Sequence, residues 1–204
     1  MPTSDAIFDA IRRGYTELEY VSPSEIQAYF DTIDPVSEVG HINNIKGILF
    51  EAEVVDALQN QGIDAEVFEA TNHPITDIAI FDDGDVIGEF QLKATDSVSY
   101  ISDTLKAHPD VPIIATSEVA QAMENDMVID SGISNSDLTQ EVASTLAADS
   151  ACDLSNDVSS DVASEVLSEG ASEGLADAVA DAVSPFPISP IGIGLSLLGF
   201  PFLF

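Results

Sequence analysis

Lys93 lies in the run GEFQLKAT, residues Gly88 to Thr95, and is one of only five basic residues in a chain of 204. Read as a strand, the run alternates its side chains. Ile87, Glu89, Gln91 and Lys93 then face one way, and Gly88, Phe90, Leu92 and Ala94 the other. Asp77 opens the preceding strand-like run, DIAIF, where an acid can meet the lysine across a ladder. A third charged group stands in NNIKGILFEAEVVDAL, where Ile48 and Val55 lie three before and four after Glu51 at helical spacing. That spacing turns the Glu51 carboxylate toward the apolar face. A buried carboxylate needs compensation, and either Lys93 or a metal ion supplies it.

The elements that must position these groups can be read from local signals. Ser22, Pro23 and Glu25 form a capping box at the start of SPSEIQAYFDTI, so the first forty residues read as two short helices. A longer helix is expected from about His41 to Asn60, with Gly62 as its stop. Three strands follow, in DAEVFEA, TDIAIF and DVIGEFQLKA, the last two joined by the tight-turn sequence DDGD. A helix in SVSYISDTLKAH, a buried strand in VPIIAT and a helix in SEVAQAME complete the order α, β, β, β, α, β, α.

The helix carrying KGILFE, the strand start PITD and the following strand with QLK, in an αβββαβ order, resemble the PD-(D/E)xK superfamily of restriction-endonuclease-like nucleases. The resemblance covers residues 41 to 125 and implies an α/β fold with that core. It also implies a metal-dependent endonuclease acting on nucleic acid, DNA in preference to RNA. Carried over, Asp77 is a metal ligand, Gln91 occupies the second acidic position, Lys93 is the catalytic lysine and Glu51 matches the helix glutamate of many members. The cation would be Mg²⁺ or Mn²⁺, hard ions that take oxygen ligands and stabilise charge developing on a phosphodiester. Two departures are visible: Pro74 is separated from Asp77, and Gln91 offers a neutral amide oxygen in place of a carboxylate. Glu89, on the same strand face, is the carboxylate that would supply the missing charge as a ligand. The rival expectation is a non-catalytic structural or membrane-associated protein that keeps the nuclease-like scaffold.

Charge stands against a nucleic-acid partner, since the formal net charge is -32, from 37 acidic and five basic residues. Phosphate binding draws its affinity from Lys and Arg. A local dication reduces that objection, and so does concentrated salt, in which counterion release contributes little. The acid-rich composition resembles that of proteins from salt-loving organisms; the alternative is an acidic protein kept soluble by its charge. The layout suggests a phage, mobile-element or effector component, cytoplasmic or virion-associated, and homo-oligomerisation stays open.

A single cysteine, Cys152, excludes an internal disulfide, and the N-terminus shows no signal-peptide pattern. No Gly-rich phosphate loop, Cys/His zinc pattern or Ser/His/Asp elbow is present. His73 in TNHPITD lies near the expected site, and Ser97, Ser99 and Tyr100 follow the lysine, where they suit either phosphate contact or helix capping.

Residues 1–40 thus read as a helical segment and 41–125 as the nuclease-like core. Residues 126–184 read as an acidic region. Within it an acid recurs every fourth position from Asp149 to Asp181, a spacing that winds around a helix and leaves no single apolar face. Residues 185–204 form an uncharged apolar tail suited to a membrane or a protein partner, although Pro187, Pro190 and Pro201 make a poor continuous helix.

Overall fold

A computed structural model describes residues 2–68 and 75–152 of the chain. Three helices come first: α1 (Ser4–Gly14), α2 (Pro23–Asp31) and the long α3 (Pro35–Asn60). The expected capping box is present at α2, where Ser22 and Glu25 each accept the other's backbone N–H. Helix α3 starts at Pro35, before the expected His41, because the Asp34 side chain caps it by accepting the N–H of Val36 at 2.8 Å. It therefore runs across the boundary expected at residue 40. Its end is as expected: Gly62 takes a φ of 81°, and the Ile63 N–H returns to the Leu58 carbonyl at 3.1 Å.

Five strands form one sheet in the order β1 (Asp64–Val67), β2 (Ile78–Asp82), β3 (Asp85–Lys93), β4 (Ile113–Ala115) and β5 (Val128–Asp130). The first three are antiparallel neighbours, whereas β3, β4 and β5 run parallel. The β2–β3 hairpin turns through Asp83 and Gly84, both at positive φ as the DDGD signal requires. The parallel strands are connected through α4 (Val98–Ala107) and α5 (Ser117–Ala122), and α6 (Asn135–Cys152) follows β5. The fold is thus a mixed α/β arrangement around a five-stranded mixed sheet.

The sheet is packed on both faces. Ile78, Ile80, Phe90, Leu92, Ile114 and Ile129 join a large apolar cluster with residues of α1, α2, α3 and α6. Ile113 and Ala115, pointing the other way from β4, join Ile101 of α4 and Val119 of α5. Alternation along β3 therefore puts Phe90 and Leu92 in the large core and directs Gln91 and Lys93 toward the opposite face.

The acidic region expected from residue 126 does not begin there. Strand β5 extends the sheet, and Leu138, Val142 and Leu146 of α6 are buried in the same core as the N-terminal helices. These three leucine and valine side chains recur every fourth residue, so acids between them do not prevent an inward-facing stripe. The N-terminus of α6 is held by Glu118, which accepts the N–H groups of Asn135 and Ser136 at 2.8 and 3.0 Å and the Ser134 hydroxyl at 2.8 Å. Most of the acidic repeat and all of residues 185–204 lie outside the described residues, as do His73 and Pro74. Among the described residues, no helix is long and apolar enough to cross a membrane.

Candidate active site at the fork of the sheet

Strand β3 changes partner along its length. Up to Phe90 it pairs with β2, and from Gln91 to Lys93 it pairs with β4. These partners lie on opposite edges of β3, and Asp77 sits on the β2 edge, immediately before β2 and beyond the last paired residue of that ladder. Its N–H donates to the Phe90 carbonyl at 2.8 Å and its own carbonyl accepts the Phe68 N–H at 3.1 Å, so its backbone is held from both sides. Its Oδ2 accepts the backbone N–H of Leu92 at 2.7 Å. The side chain thereby takes the place of a ladder carbonyl where β2 has run out and β3 still presents a donor.

The same Oδ2 lies 3.7 Å from Lys93 Nζ. At that separation the pair is an ion pair without hydrogen-bond geometry. Lys93 Nζ donates no hydrogen bond to any described residue, and Asp77 Oδ1 accepts none. Both side chains are largely withdrawn from solvent, at 18% and 23% exposure. Between them along β3 stands Gln91, whose Oε1 is buried and has no hydrogen-bond partner among the described residues. A buried amide oxygen left unpaired costs about 1–3 kcal/mol, so a ligand, ion or water that satisfies it is stabilising.

Glu51 reaches the same region from α3. Burial pushes its carboxyl pKa up, the Arg13 guanidinium pulls it down, Asp77 pushes it up again and Lys93 lowers it, for a net rise. Asp77 and Lys93 thus act electrostatically on Glu51, as the spacing on α3 leads one to expect. Among the described residues, the direct ion-pair partner of Glu51 is Arg13, whose Nη1 lies 3.1 Å from Glu51 Oε2. Arg13 Nη2 also donates to the Phe68 carbonyl at 3.3 Å. No spacing in the sequence marks Arg13, which sits on a separate helix. The one signal was the scarcity of basic residues, which makes each of the five a candidate partner for an inward-facing acid.

Glu89 lies two residues before Gln91, on the part of β3 that pairs with β2. It is exposed, it pairs with Ala79 along the antiparallel part of the sheet, and it accepts the Thr76 hydroxyl at 3.0 Å. Ser97 caps α4 by accepting the Tyr100 N–H at 3.3 Å and contacts the Ser99 hydroxyl at 3.1 Å. A second unforeseen basic residue is Lys46, on α3, which is buried and donates to Asn135 Oδ1 at 2.8 Å. Burial pushes its pKa down, and Asp96 and Glu118 act in the opposite sense.

Among the described residues, no group of three or more His, Cys, Asp or Glu side chains is placed to hold a metal ion. The oxygens these residues offer are of mixed kind: Asp77 Oδ1 and Gln91 Oε1, neither of which accepts a hydrogen bond from a described residue, and the Arg13-paired carboxylate of Glu51. Such a set suits a hard divalent cation that keeps several waters, because Mg²⁺ and Mn²⁺ sites commonly use one or two carboxylates with water and phosphate oxygens. The Gln91 amide oxygen is the feature that fits a cation best, since it has no other partner to lose among the described residues. No family model, curated protein or solved structure matches this chain.

Proposed function

We propose that the fork is the active site of a metal-dependent nuclease that hydrolyses phosphodiester bonds, DNA in preference to RNA. The observation that carries this reading is the buried Gln91 Oε1, which has no hydrogen-bond partner among the described residues, two positions along β3 from a Lys93 ammonium that donates to none of them. Among the described residues the Asp77–Lys93 pair keeps hydrogen-bonding capacity, at Asp77 Oδ1 and at the Lys93 ammonium, that a ligand can use.

Each residue has a role that its geometry supports. Leu92 N–H fixes Asp77 through Oδ2, which leaves Oδ1 as a preset ligand. Gln91 adds a neutral oxygen, and Glu51 adds charge from the helix side. A divalent cation bound there would neutralise the phosphate and lower the pKa of a coordinated water. Lys93, whose ammonium donates to no described residue, would orient the attacking water or hold a non-bridging phosphate oxygen as charge builds on it. Two of the chain's five basic residues, Arg13 and Lys93, pair with Glu51 and Asp77 here, and their N–H groups are of the kind that recognises a phosphate oxygen.

The test is cleavage of plasmid DNA and of RNA with Mg²⁺ or Mn²⁺, at low and high KCl, by the wild type, Lys93→Met and Asp77→Asn. Wild-type cleavage that depends on the cation and disappears in both variants is the expected result. Variants that cut as well as the wild type would remove the site assignment.

A second reading, a non-catalytic scaffold, is favoured by one specific observation. Glu51 already has Arg13, and Asp77 already has Leu92 N–H and Lys93, so neither carboxylate requires a cation to be tolerated. A wild type that leaves DNA and RNA intact under all of these conditions supports it.

A further inference from the structure

Arg13 does more than neutralise one acid. Its two terminal nitrogens join three segments: Nη1 takes Glu51 of α3, and Nη2 takes the carbonyl of Phe68 just beyond β1. Phe68 in turn donates its N–H to the Asp77 carbonyl. Helix α1 is therefore fastened both to the helix carboxylate and to the backbone that carries the strand carboxylate. The close packing of α1 on α3 is built for this: a Cβ on Gly14, the next residue, would collide with the Ile48 side chain.

The charges at the fork also cancel. Glu51 and Asp77 contribute two negative charges, Arg13 and Lys93 two positive ones. A cluster already balanced in this way holds an incoming dication less tightly than the same carboxylates would alone, because Arg13 must give up Glu51 before that oxygen can serve another cation.

We infer that Arg13 is the resident counter-ion of the Glu51 ligand position, a placeholder supplied by helix α1 that sets the affinity of the fork for a divalent cation. The inference rests on the metal-dependent reading above. When Glu51 is taken over as a ligand, the guanidinium is released from it while the Phe68 carbonyl keeps the side chain at the rim. There its planar fork of donors suits a phosphodiester oxygen pair. In a chain with so few cations, one arginine would then serve the empty and the loaded site in turn.

The test is Mn²⁺ binding to the full chain, measured by titration calorimetry in moderate KCl, with wild type, Arg13→Gln, Glu51→Gln and the double variant. Arg13→Gln should bind Mn²⁺ about five-fold tighter, the scale of losing one partly buried ion-pair competitor. Glu51→Gln should bind more weakly, and in its background the Arg13→Gln gain should shrink to less than half. An Arg13→Gln affinity equal to or weaker than wild type, with Glu51→Gln still weakened, overturns the inference and leaves the nuclease reading standing. A wild type that binds no Mn²⁺ overturns both. A measurement that needs no variant is the Arg13 Nε–H resonance of the wild type on Mg²⁺ saturation. It should shift as the guanidinium leaves Glu51, and an unmoved resonance in a Mg²⁺-saturated chain overturns the inference.

Discussion

The carboxylate of Asp77 accepts the backbone N–H of Leu92 at 2.7 Å, continuing with a side chain the edge of β3 along which pairing with β2 has ended. The residue is therefore structural, the nuclease reading gives it a chemical role as well, and the two separate by substitution. Asp77→Asn keeps an oxygen acceptor for Leu92 and should stay within about 1 kcal/mol of wild type in urea unfolding. Asp77→Ala strands the N–H and should lose about 1–3 kcal/mol. Both should abolish cleavage. Full activity in a stable Asp77→Asn protein would show that the carboxylate's only task is to hold the fork.

Gln91 offers the sharpest distinction between a working site and a retired one. Glutamate there places a further carboxylate in a part-buried position near Asp77, which should cost about 1–3 kcal/mol of stability without metal. With Mn²⁺ present the melting temperature should recover, and Mn²⁺ binding should tighten on the order of tenfold. Loss of stability that added Mn²⁺ does not restore would argue that no cation belongs beside this strand.

Glu118 predicts the acid response. Burial pushes its carboxyl up, but the N–H groups of Asn135 and Ser136, its own N–H and the Ser134 hydroxyl pull it down to about 2. A carboxyl whose folded pKa is depressed stabilises above its ordinary value of 4.5 and loses that contribution as pH falls toward 2. The group is partly exposed, so solvent screening reduces the contribution to about 1 kcal/mol. Glu118→Gln should then be less stable than wild type at pH 7, and the two should converge near pH 2. A constant gap across that range in urea melts would show that the cap acts through packing instead of charge.

Salt should stabilise the whole chain. With a net charge of -32, self-repulsion is large in dilute buffer, and raising KCl from 0.1 M to 1 M shortens the screening length from about 10 Å to about 3 Å. The melting temperature should rise by on the order of 5–10 °C over that range. Cleavage should also survive 1 M KCl, because the few basic contacts leave little counterion release to lose. A melting temperature that falls with KCl would contradict the reading of the acidic surface as one suited to concentrated salt.

Local chemistry in the sequence determined most of the elements. The Ser22 capping box, the Gly62 stop, the DDGD turn and the alternation from Ile87 to Lys93 each act over a few residues, so each could be read without knowing what lies nearby in space. The same reasoning placed Glu51 inward and set Asp77 across from Lys93. The tertiary structure alone decided which charges meet. Arg13 finds Glu51 across two helices, Lys46 finds Asn135 at the start of α6, and Glu118 caps a helix that composition had assigned to an acidic extension. These pairings depend on how α1, α3 and α6 close over one face of the sheet. Electrostatic partners form wherever packing brings side chains together, and that distance is set by the burial of apolar residues spread over the whole chain, which no short spacing records.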